Sequence, residues 1–251
     1  VLIVFMLARG KMLPNKPIAW AHFMLLGLVG NVLPFWLIAK GQMFVTSGMA
    51  GLLMAIMPLM TLILAHFFIV GENLNRNKLL GFVFGLSGIT LILGPTLVGS
   101  ENSLLGCLLV LSAAVLYATN TIIARRLPTY SSAVVSTGVT ICAALISFMI
   151  WPSVLTIDWP RVSNLALVTI IWLGVFPTGV AAIIFFVLIR RAGPTFLSNI
   201  NYLIPLVAYF TGALVLGELI VWHDMIALAA ILFGIAVSRR SVPNRSVNIE
   251  L

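Results

Sequence analysis

The chain alternates long apolar runs with short polar breaks from beginning to end. Complete runs fall at roughly 18–39, 45–70, 78–95, 103–124, 131–152, 164–189, 195–216 and 222–238, each bounded by Gly, Pro, Asn or charge. A helix of ~20 apolar residues crosses a bilayer, so the pattern predicts eight complete transmembrane spans. The connections are short, which makes neighbouring helices antiparallel and packed side by side. Val1 to Ala8 is apolar but too short to span, and basic residues follow it rather than precede it, unlike a signal peptide. We read it as the end of a further helix whose beginning is missing. Ser241 to Leu251 is polar, contains Pro243 and is expected to be disordered.

Composition and charge agree with a membrane chain. Hydrophobic residues make up 61% and charged residues 8% of the 251 residues, against ~25% charged in a soluble domain. The basic residues are sorted between alternate connections. One set carries Arg9, Lys11, Lys16, Arg76, Lys78, Arg125, Arg126, Arg190, Arg191, Arg239, Arg240 and Arg245, and the other only Lys40 and Arg161. Basic residues flanking spans stay cytoplasmic, so the first set marks the inner face. The net charge of +8 is thereby explained without a nucleic-acid partner.

A repeat appears once the runs are numbered. Leu26-Gly27 recurs as Leu173-Gly174 and Pro58-Leu59 as Pro205-Leu206, both 147 positions on. Gly71-Glu72 recurs as Gly217-Glu218, and Leu86 with Gly88-Ile89 recurs as Leu232 with Gly234-Ile235, both 146 positions on. Between the copies the chain crosses the membrane an odd number of times, so the second copy is inserted upside down. Inverted repeats of this kind are a transporter device. Partners of the spans at 103–124 and 131–152 would lie at or before the start of the chain. The intact protein is therefore expected to be an all-α integral membrane protein of ten spans, an inverted repeat of five, with both ends cytoplasmic. Eight spans and part of a ninth are present here. The first repeat would occupy 1–97, the second 98–240, and a cytoplasmic tail 241–251.

Three stretches carry a family resemblance. One is LLMAIMPLMTLILAHFFIVGE (Leu52 to Glu72) followed by LLGFVFGLSGITLIL (Leu79 to Leu93). The second is NYLIPLVAYFTGALVLGE (Asn201 to Glu218) with the Gly234 helix, and the third is LYATNTIIARRL (Leu116 to Leu127). With the inverted five-helix repeat, these resemble the drug/metabolite transporter superfamily in its EamA-type branch, over roughly residues 18–240. The resemblance implies metabolite export, with amino acids as the first cargo to consider. It also implies that the absent first helix and most of the second help to wall the central cavity.

Proline within a membrane helix frees the carbonyl four residues back. Pro205 frees that of Asn201 and its counterpart Pro58 that of Met54, which makes these two prolines paired kinks or, on the alternative reading, packing devices. Asn31, Tyr117, Asn120, Trp172, Asn199, Asn201 and Tyr202 are the candidate substrate-cavity residues. Amides are costly against lipid and face inward, and Asn supplies both donors and an acceptor to a zwitterion, while Tyr and Trp give apolar walls with a polar tip. For each Asn, helix–helix hydrogen bonding is the competing role. Glu72 and Glu218 follow helix-terminating glycines, which favours capping over a gate or proton carrier. The stripe Gly81, Gly85, Gly88 and the pair Ala230, Gly234 allow close helix packing within the chain, with a homodimer contact as second reading.

Cys107 and Cys142 lie in apolar runs without CxxC or Cys/His spacing and are read as small core residues. No metal or cofactor is implied. HExxH, GxSxG and GKS/T are absent, which leaves no basis for an intramembrane protease or a nucleotide-driven pump. No Asp, Glu, Lys or Arg stands in the middle of a complete span, where it would cost roughly 2.5–3.5 kcal/mol. A phosphorylated cargo would want a cation there, and a coupling proton a buried carboxylate. The sequence suggests neither within residues 18–240. The expected function is secondary transport of small polar or zwitterionic metabolites across the inner (plasma) membrane by alternating access. Efflux of lipophilic drugs or cations is the alternative, and a non-transporting membrane scaffold is the alternative of another class.

Overall fold

The structure is a computed structural model that describes residues 1–70, 73–96, 103–126, 130–152, 156–157, 162–181, 184 and 200–239, with the backbone alone at 95–96, 125–126, 200–202 and 239. The described elements are helices: α1 (Leu2–Ala8), α2 (Pro17–Gly27), a π-helical stretch π1 (Leu28–Val32), α3 (Leu33–Gly41), α4 (Ser47–Met54), α5 (Met57–Phe68), α6 (Arg76–Thr96), α7 (Leu104–Arg126), α8 (Ser132–Ile150), α9 (Asn164–Leu173), a second π stretch π2 (Gly174–Val180), α10 (Ile200–Leu216) and α11 (Trp222–Arg239). Among the described residues, five continuous helical stretches are long and apolar enough to cross a membrane: Pro17–Gly41, Ser47–Phe68, Arg76–Gly94, Leu104–Ala124 and Ser132–Ile150. Their ends fall within two residues of the predicted runs. Shorter apolar helices cover Asn164–Val180, Leu203–Leu216 and Trp222–Ser238.

Local chemistry starts and stops these helices. Pro17 opens α2 at its first turn, where a missing N–H costs nothing. The side chain of Thr46 accepts from the Met49 N–H at 3.2 Å, Asn75 Oδ1 from the Lys78 N–H at 2.9 Å, and Ser163 from the Ala166 N–H at 3.2 Å. Gly217, at φ +70°, turns the chain out of α10 in the left-handed region that glycine tolerates best.

The chain divides into two compact units, Val1–Leu33 with Ile123–Ile200, and Pro34–Ile122 with Asn201–Leu251. Each joins two stretches that lie far apart in the sequence. In the first unit, α8 packs against α1, α2 and π1. Its core is Met6, Ala19, Phe23, Val134 and Cys142. The Phe23 ring meets Trp20 and Tyr130 edge-on, at 5.9 and 5.8 Å, and presses on Gly138. Thr137 Oγ1 lies 2.8 Å from the Ala133 carbonyl and 3.3 Å from that of Leu2, which ties α1 to α8.

In the second unit the dominant packing is α6 against α11. A Cβ on Gly88 would sit 2.8 Å from the Ala227 carbonyl oxygen, and a Cβ on Gly234 2.5 Å from that of Gly81. Only glycine admits backbones this close. The contacts pair 81 with 234 and 88 with 227, so the two helices run antiparallel. Shifted by 146 residues, Gly81 corresponds to Ala227 and Gly88 to Gly234. The contact therefore exchanges one pair of positions for the other, the pattern of a two-fold self-complementary interface. The Phe84 and Phe233 rings close the crossing edge-on at 4.9 Å. The small-residue faces seen in the sequence thus serve intramolecular packing here.

This arrangement sorts charge along the second unit. Arg76 and Lys78 at the start of α6 share one end with Arg239, because Gly81 lies against Ser238. At the opposite end the turn after α3 meets the start of α7, with Ser103 N–H bonded to the Phe44 carbonyl at 3.0 Å. The start of α4, the end of α10 and the start of α11 meet there too. That end holds Glu218 and Asp224, the two acidic residues among those described.

Candidate functional site

The sequence-predicted residues fall into three groups. In the second unit, Tyr117 and Asn120 are half-buried on α7 and three residues apart, so they share one face of the helix. Thr121 stands on the same face, its hydroxyl spent on the Tyr117 carbonyl at 3.0 Å. Asn120 Oδ1 is buried with no hydrogen-bond partner among the described residues. A buried acceptor left open this way favours a donor-bearing partner. Asn201 and Tyr202 lie in the first turn of α10, where only the backbone is described, and Asn199 lies outside the described residues.

In the first unit, Asn31 and Trp172 lie on or beside π-helical backbone. Asn31 is half-buried within π1, where the Leu33 N–H reaches back to the Leu28 carbonyl. Trp172 lies in the last turn of α9 with 56% of its surface exposed and stacks on Phe176 of π2, centroids 4.1 Å apart and planes tilted 30°. Inside π2, Pro177 cannot donate to the Leu173 carbonyl, and the Thr178 hydroxyl takes that acceptor at 3.1 Å. Shifted by 147 residues, π1 becomes 175–179 and falls wholly within π2. Single π turns inside α-helices concentrate at functional sites.

The two prolines behave differently. The Ser47–Phe68 span breaks at Ala55 and Ile56, and Pro58 opens the new segment α5. Pro205 sits fully buried inside an unbroken α10. Neither side chain at 201 or 202 is described, so the kink assignment rests on backbone chemistry alone.

Sequence reasoning missed a polar cluster at the acidic end of the second unit. Glu218 reaches from the turn after α10 to the start of α4, where Oε1 accepts from the Ser47 N–H at 2.6 Å and Oε2 from the Gly48 N–H at 2.7 Å. Gly212 leaves room for this carboxylate. Two short charge-assisted bonds at a helix N-terminus make a strong cap, and it joins elements 170 residues apart. Beside it, the Tyr209 hydroxyl accepts from the Val221 N–H at 3.0 Å and lies 3.3 Å from Asp224 Oδ2, which it can reach as donor. Asp224, next to His223 at the start of the run 222–238, occupies the first turn of α11 and is buried. A buried carboxylate is thus present at a helix end rather than at mid-span. No group of His, Cys, Asp or Glu among the described residues is arranged to hold a metal ion.

The EamA-like transporter family matches residues 1–94 and 104–240, and the chain belongs to this family within the drug/metabolite transporter superfamily. It is a multi-pass membrane protein. Similar proteins are a chloroplastic WAT1-related protein of Arabidopsis thaliana, 23% identical over 94% of this chain and 58% of its own length, and the inner membrane transporter YedA of Escherichia coli, 26% identical over 94% and 76%. The transporter YoaV of Bacillus subtilis is 23% identical over 84% of this chain and 73% of its own length. The chain thus spans somewhat more than half of the plant relative. A protein crystal structure aligns with a TM-score of 0.64 at 23% identity, covering 95% of this chain and 82% of that one, and shares the fold.

Proposed function

We propose that this chain forms most of a secondary carrier that moves small polar or zwitterionic metabolites, amino acids first, outward across the inner membrane by alternating access. One observation carries the reading: the reciprocal glycine contact between the antiparallel helices α6 and α11, in the register of the 146-residue repeat. It supports two inverted halves, whose exchange of conformations would open the site to either side in turn. The π stretches 147 residues apart support the same repeat. The proposed halves are 1–97 and 98–240, followed by the tail 241–251. The clustering of Arg76, Lys78 and Arg239 at one end supports a cytoplasmic placement of that end.

For cargo, the open acceptor of Asn120 beside Tyr117 supports recognition of a neutral or zwitterionic molecule through an ammonium, amide or hydroxyl donor. Asn31, Trp172, Asn199, Asn201 and Tyr202 are proposed contributors of the same chemical kind. The test uses the full-length protein in proteoliposomes loaded with a labelled amino-acid mixture. Wild type is expected to exchange label. Asn120→Leu should slow exchange by up to about tenfold, the worth of one hydrogen bond, with membrane insertion unchanged. Normal exchange by Asn120→Leu would remove Asn120 from the site. Flux of lipophilic cations alone would replace the cargo class, and no flux with any metabolite pool would favour a scaffold.

A further inference from the structure

Asp224 is used by nothing in the transport reading above. It is 6% exposed, and its Oδ1 has no hydrogen-bond partner among the described residues. A carboxylate withdrawn from water needs donors or a cation to remain ionised. Oδ2 faces the Tyr209 hydroxyl at 3.3 Å. Oδ1 faces His223 Nε2 at 3.4 Å, longer than an ordinary hydrogen bond. The His223 side chain is 29% exposed and so bridges water and the buried carboxylate.

The other ionisable groups around the site are few. Tyr209 approaches from α10, and Glu218, on the turn between α10 and α11, is occupied by the Ser47 and Gly48 N–H groups. The core that contains Tyr209 also contains Cys107 of α7. Helix α6 packs against α11 and carries no ionisable residue beyond Arg76 and Lys78, at its far end, and α4 carries none. Lys40 stands exposed near the end of α3.

We infer that Asp224 is a proton-binding site reached from water through His223, and that its protonation loosens the turn held by Tyr209 and Glu218. In the step, an imidazolium Nε2–H passes its proton to Oδ1, an O–H bond forms there, and the neutral ring regains a proton from water. Across 3.4 Å the transfer requires the ring to swing closer or one bridging water. Once Asp224 is neutral, the Tyr209 bond to Oδ2 loses its charge assistance. Tyr209 also holds the Val221 N–H, and its ring lies against Gly48 at the start of α4. The change therefore reaches the start of α4, the end of α10 and the start of α11. Coupling of the proton to cargo rests on the carrier reading; proton binding does not.

Two measurements on the full-length protein in liposomes separate these claims. Infrared difference spectra between about pH 4, near the ordinary carboxylate range, and about pH 8 should show a protonated-carboxyl band. Asp224→Asn should lose it, Asp224→Glu restore it at a shifted position, and Glu218→Gln keep it. Identical spectra from wild type and Asp224→Asn would overturn the site. In the second measurement a pH gradient is imposed on vesicles containing the labelled amino-acid mixture. Wild-type accumulation should change by up to about tenfold per pH unit, the limit for one coupled proton, while Asp224→Asn should exchange label without responding to the gradient. Wild-type flux that ignores protons, or follows a sodium gradient instead, would overturn the coupling. The band without any flux would support the proton site and count against the carrier reading alone.

Discussion

Lys78 and Asp224 are both more than nine-tenths buried, each is the third residue of its helix, and they stand 146 residues apart, yet the fold holds them in different ways. Lys78 is held locally, with Nζ donating to the Asn73 carbonyl at 3.0 Å within the turn that starts its own helix. Asp224 depends on a neighbouring helix through Tyr209 and keeps one oxygen without a hydrogen bond among the described residues. The backbone positions match, and the chemistry is of opposite sign. A near-symmetric crossing of α6 and α11 can thus carry an anchor at one end and a titratable group at the other. On the proposed topology, this charge asymmetry would also orient the pair in a membrane, because basic residues stay on the cytoplasmic side.

The symmetric crossing should be the most sensitive part of this comparison. Gly234→Leu drives a side chain into the Gly81 carbonyl and the Gly85 N–H. We expect a loss of about 1–3 kcal/mol or more from overpacking, read by thermal unfolding in detergent. Gly94→Leu, on the same helix as Gly81 but with nothing within 4 Å among the described residues, should be tolerated. Equal effects of the two would mean that the crossing is not the tight contact described. Next in size, Glu218→Ala leaves the Ser47 and Gly48 N–H groups without their acceptor. It should cost about 1–2 kcal/mol, as for loss of a good N-cap, and raise protease sensitivity between α3 and α4. The smallest effect is expected at Lys78. Lys78→Gln keeps a donor for the Asn73 carbonyl and should change stability by less than about 1 kcal/mol, with no change in any response to a pH gradient. A Lys78→Gln protein that lost that response would erase the distinction between the two ends.

The helical frame was largely legible in the sequence, because a span is a local property: length and apolar continuity decide it. The runs at 78–95 and 103–124 end within two residues of Arg76–Gly94 and Leu104–Ala124 for that reason. The glycine faces were legible as small, and the default reading of packing within the chain matches Gly81, Gly88 and Gly234. The partners were not legible. Asp224 two residues inside an apolar run looks like the end of a loop until Tyr209, 15 residues away, is seen to cover it. The cap supplied by Glu218 joins positions 170 residues apart, which no local pattern reveals. The π stretches were hidden as well. Pro34 and Pro177 hint at backbone irregularity, but a hydrogen bond that slips by one residue leaves no periodic mark in the sequence. Of the candidate cavity, Asn120 acquires a physical argument from its open acceptor, whereas Asn201 and Tyr202 are described by backbone only.

The central claim is that the Lys78 and Asp224 ends of the α6–α11 pair lie on opposite faces of the membrane. With Cys107 and Cys142 replaced by alanine, Asn77→Cys and Leu219→Cys place one exposed thiol near each end. A membrane-impermeant maleimide added to intact cells should label Leu219→Cys and leave Asn77→Cys unlabelled until the membrane is opened. Labelling of both from outside, or of neither, would contradict the inverted arrangement.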